Sequence, residues 1–63
     1  EGTAMRADIP SRCWLQMAFE RCQMGRWFDG VDQVLADPVM GFVLTACARD
    51  IEAKAARDLR RAA

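Results

Sequence analysis

A chain of 63 residues is one domain at most, and a domain this small buries only about 60% of the surface its unfolded chain exposes, so it is marginal without a disulfide, a metal or a partner. Nine basic and nine acidic residues cancel, which argues against a surface given over wholly to nucleic acid. Hydrophobic residues make up 52%, and with the eleven alanines set aside 22 larger apolar side chains remain, more than one small core covers, so the surplus should seek a partner.

Residues 1–10 lack periodicity and are expected to be a disordered or extended lead-in. Residues 1–4 are expected to be vector-derived, ahead of a start at Met5. Pro10 disfavours helix at Ile9. Ser11 is placed to cap a first helix predicted over about 12–24. Its apolar residues Trp14, Leu15, Ala18, Phe19 and Cys22 fall on one helical stripe. Gly25 is the expected stop, because glycine tolerates the left-handed position past a helix end. Trp27 and Phe28 are expected to fold back over this helix as a lid. Asp29-Gly30 is a turn signal, and no alternating strands flank it.

A short helix is predicted over about 31–36, with Val31, Val34 and Leu35 on one side and Asp32 at the positive end of its dipole. Asp37-Pro38 then punctuates the chain, an acidic cap before a proline in the first helical position. The last helix is predicted over about 38–62. Met40, Val43, Leu44, Cys47, Ile51, Ala55 and Leu59 recur along it at three- and four-residue steps. Gly41 weakens this helix and marks a close crossing by another. At about 1.5 Å per residue the last helix spans roughly 37 Å and the first roughly 20 Å. The stripe beyond Cys47 is therefore expected to lack a partner within the chain. Met40, Leu44, Cys47, Ile51, Ala55 and Leu59 become the expected oligomer interface, and Ile51→Asp is expected to separate the copies.

Chemistry-bearing patterns are few. There is no histidine, which removes the commonest general base and metal ligand. Cys13, Cys22 and Cys47 show no Cys-x-x-Cys spacing and are odd in number, so they are expected to be reduced, buried thiols. Asp29, Asp32 and Asp37 cluster at turns, where capping explains them, and no Gly-rich phosphate loop is present. No catalysis, cofactor or metal is expected.

A helix-turn-helix reading fails on the apolar start of the last helix, Pro38 to Phe42, where base-reading residues would have to stand. Lys54, Arg57 and Arg61 share one helical face and are the candidate phosphate contacts under an alternative, nucleic-acid reading. Acids at 50, 52 and 58 interleave with them, and no aromatic residue sits among them for stacking. No basic leader precedes an apolar core, and the longest uncharged run, Pro38 to Ala48, has 11 residues, too few to cross a bilayer. No membrane partner is expected. The aromatic residues and methionines are read as core.

The sequence thus predicts an all-α, cytoplasmic protein of two main helices and a short one between them, packed as a helical homo-oligomer. Its expected role is a regulatory or accessory protein-protein interaction module, homodimeric and able to bind another protein.

Overall fold

The computed structural model describes residues 9–62, and the lead-in over residues 1–8 lies outside them. Helices α1 (Arg12–Arg21), α2 (Val31–Ala36) and α3 (Pro38–Ala62) follow one another, with a 3-10 turn at Met24–Arg26 between the first two. There is no strand among the described residues.

Ile9 and Pro10 lead in without regular structure, Ile9 exposed and Pro10 buried. Ser11 stands at the capping position in extended backbone, but its hydroxyl makes no capping bond. Its carbonyl accepts from the Leu15 amide at 3.1 Å. α1 then buries Leu15, Ala18 and Phe19.

The helix stops earlier than predicted. The Cys22 amide donates to the Ala18 carbonyl and the Gln23 amide to the Glu20 carbonyl, and Gln23 turns left-handed at φ 55°. The expected glycine stop at Gly25 is therefore displaced by two residues, onto a side chain that pays for positive φ. Gly25 sits inside the 3-10 turn, with the Phe19 ring 3.6 Å from where a Cβ would stand. Gln23→Gly should stabilise the fold by about 0.5–1 kcal/mol, read as a shifted urea midpoint at constant slope.

Met24 drops into the core while Phe28 packs against it at half exposure. Trp27 does not join them. It is 69% exposed, with the Arg26 guanidinium 5.4 Å over its ring. The expected lid is thus Phe28 alone. Gly30 starts α2 in extended backbone, and the Gln33 side chain reaches back to accept from the Asp29 amide at 2.6 Å, as the returning side chain of a capping box does. Asp32 does more than face the dipole. It pairs with Arg12 at 2.7 Å, tying the start of α1 to the start of α2. The guanidinium holds the Asp32 carboxyl below its ordinary range. The pair is therefore complete above that range and is lost as pH falls through the lowered value. Both groups are exposed, so the loss costs the fold little.

Asp37 caps α3 as its sequence position predicts: one carboxylate oxygen accepts from the amides of Val39 and Met40 at 2.9 and 2.8 Å. Gly41 marks the expected close crossing. A Cβ there would stand 3.1 Å from the carbonyl oxygens of both Val34 and Leu35, at the last turn of α2. Leu15, Ala18, Phe19, Met24, Val31, Val34, Leu44, Ala48 and Ile51 form one core between α3 and the shorter elements. The end of α3 runs past that core, and among the described residues none after Ile51 is buried. The radius of gyration, 12.6 Å, accordingly exceeds the roughly 10–11 Å of a compact chain of this length.

Candidate functional site

α3 carries two stripes of heptad spacing. The inner one, Gly41, Leu44, Ala48 and Ile51, is buried against the rest of the chain, and Ala55 extends it at half exposure. Small residues at 41 and 48 let the neighbouring backbones come close. The outer stripe, Val39, Phe42, Ala46, Arg49, Ala53 and Ala56, lies on the opposite side of the helix at alternating steps of three and four. Val39 and Phe42 are 67% and 75% exposed.

Phe42 is the pivot of this face. It joins Thr45, Ala46, Arg49, Asp50 and Ala53 in lining one groove along the helix. On its other side it joins Ile9, Leu35, Pro38 and Thr45 in lining a second hollow. Thr45 costs the surface little polarity, because its hydroxyl donates inward to the Gly41 carbonyl at 2.8 Å. The result is a long, shallow, mostly apolar face with Arg49 and Asp50 near its middle and Asp37 at one end.

The residues expected to form an oligomer interface are spread over several environments. Leu44 and Ile51 belong to the chain's own core. Met40 and Cys47 pack against that core at half exposure, Ala55 is half exposed, and Leu59 is 74% exposed. The expectation that the stripe beyond Cys47 has no partner within the chain is therefore corrected. Ala48 and Ile51 are covered by it, and Trp14, Met17 and Arg21 of α1 share a groove with Ile51, Lys54, Ala55 and Asp58. α1 is short, but it lies against the middle of α3 rather than its start. Only the turns around Leu59 run free.

Lys54, Arg57 and Arg61 are all exposed, as a phosphate-binding face would need. Lys54 shares its groove with Asp58, so the face is mixed in sign. Among the described residues no group of three or more Cys, Asp or Glu is arranged to hold a metal, and no helix is long and apolar enough to cross a membrane.

The thiols depart from expectation. Cys13 and Cys22 are exposed and Cys47 is half-buried, so none is fully buried, and only Cys47 packs against the core. Cys22 and Cys47 touch, with their sulfurs 3.7 Å apart. Burial, then the contact with Cys22, then the charge of Asp50 push the Cys47 thiol up.

Outward Val39, Phe42, Ala46 and Ala53 were missed as a group because apolar residues surround the first half of α3. Their spacing was nevertheless present in the sequence. Compared with known proteins, the chain matches no family model, no curated protein and no solved structure.

Proposed function

We propose that this chain is a cytoplasmic, regulatory or accessory interaction module that acts as a homodimer, its two α3 helices pairing antiparallel through their outer stripes. The observation that carries this reading is the heptad stripe, exposed from Val39 to Ala53 with Ala56 half-buried, large at one end and small at the other.

A two-fold axis near residues 47 and 48 makes the stripe its own complement. It sets Phe42 of each copy against Ala53 and Ala56 of the other, filling space that alanines leave open. It sets Arg49 opposite the small Ala46 of the second copy, which leaves room for its long side chain. It also brings the basic last turn, Arg60 and Arg61, alongside Asp37 of the second copy. A parallel pair would stack Phe42 on Phe42 and Arg49 on Arg49. Zero net charge removes a barrier to such association.

If folding and pairing are linked, the melting temperature should rise by roughly 5 °C for each tenfold rise in chain concentration. Thermal melts followed by circular dichroism over a hundredfold range would read this. A melting temperature independent of concentration overturns the dimer. It would turn attention to a different protein, or to nucleic acid on Lys54, Arg57 and Arg61, as the occupant.

A further inference from the structure

Among the described residues, a pair of reactive side chains in contact lies on the other side of α3. Cys22 is the first residue past α1, and Cys47 stands at the middle of α3. Their sulfurs, 3.7 Å apart, share a hollow with Arg21 and Asp50. We propose that Cys22 and Cys47 are a disulfide-forming pair, closed by a low-molecular-weight disulfide such as oxidised glutathione and reopened by a small thiol.

The sulfurs must close from 3.7 Å to about 2.0 Å. Cys22 can supply the movement, because it is exposed and sits at a helix end followed by a left-handed turn. It is also the first nucleophile. Its thiolate attacks the small disulfide, forming a mixed disulfide and releasing one small thiol. The Cys47 thiolate then attacks the Cys22 sulfur, forming the protein disulfide and releasing the second small thiol. Two electrons pass from the cysteine sulfurs to the small disulfide, and the two protons end on the two small thiols. Cys47 attacks second, half-buried and with its thiol pushed up, so the closing step should quicken as pH rises.

Cys13 is excluded by geometry. It lies nine residues before Cys22, about 13 Å along a helix axis. The crosslink would close a loop holding the 3-10 turn, α2 and the first part of α3. It would fasten the ten-residue α1 to α3. It leaves the outer stripe untouched, so it stands or falls independently of the dimer.

The test is to incubate the full chain with oxidised glutathione, alkylate the remaining thiols and map the peptides. The chain should lose two hydrogens, join Cys22 to Cys47, and alkylate at Cys13 alone. Its melting temperature should rise by roughly 10–20 °C, as closing a loop of this length in so small a domain implies, and dithiothreitol should reverse the rise. Cys13→Ser should keep both effects, and Cys22→Ser should lose both. Alkylation at all three cysteines overturns the proposal, as does a crosslink that runs through Cys13 or between chains. A Cys22–Cys47 crosslink that lowers the melting temperature also overturns it, because native packing would then oppose the bond.

Discussion

Ile51→Asp should unfold the chain, not merely separate two copies of it. Ile51 is buried in the intrachain core beside Ala48 and Leu44. Removing the isoleucine forfeits roughly 1.5–3 kcal/mol of apolar burial. Placing a carboxylate there adds a desolvation cost, offset only in part by Arg21 and Lys54, which line the groove beside it. A domain of this size has a total stability of roughly 3–9 kcal/mol, so the sum removes most or all of it. Far-UV circular dichroism should show lost helix at room temperature, with no cooperative melt. A variant that keeps its helix content and melting temperature while halving its mass would place Ile51 between copies instead.

Phe42→Glu should do the reverse, leaving the fold and removing the dimer. Phe42 is 75% exposed and lies across the helix from the core, so its loss opens no cavity in the single chain. In the pair it is the one large aromatic group on the stripe, and such groups carry binding energy of about 2–4 kcal/mol. The dimer should therefore weaken by roughly 30- to 1000-fold. The new carboxylate faces alanines and adds a desolvation cost. Helix content and the melting temperature at low concentration should stay near those of the parent chain.

These two residues show what could be read from the sequence and what could not. The three helices, the Asp37 cap before Pro38 and the crossing at Gly41 were legible, because each rests on local chemistry: a side-chain acceptor, a fixed φ, a missing Cβ. The end of α1 was not. Gln23 takes a left-handed turn that its residue type disfavours, so the glycine two residues on was the better local guess. Trp27 looked like core by its size, yet it packs with Arg26 on the surface.

The largest error concerned what covers the predicted stripe of α3: Leu44 and Ile51 lie in the chain's own core, with Met40 and Cys47 packed against it, rather than against a second copy. Val39, Met40, Phe42, Val43, Leu44 and Cys47 surround its first turns, so periodicity alone admits more than one stripe. The reading followed the large residues. That stripe held Leu44 and Ile51, and close packing adds Gly41 and Ala48 to them, because small residues let α1 and α2 approach. That choice turns Phe42 and Val39 outward. The surplus of apolar side chains inferred from composition is real, but it is spread: Val39 and Phe42 lie on the outer face of α3, Leu59 at its far end, and Met17 and Trp27 outside α3 altogether.

Sedimentation equilibrium of the parent chain and Phe42→Glu, side by side at micromolar concentration, tests this account most directly. The parent should sediment at twice the 7.1 kDa chain mass, and the variant at that mass with its helix content intact. A folded parent of 7.1 kDa, or a variant that remains dimeric, would contradict pairing through the outer face of α3.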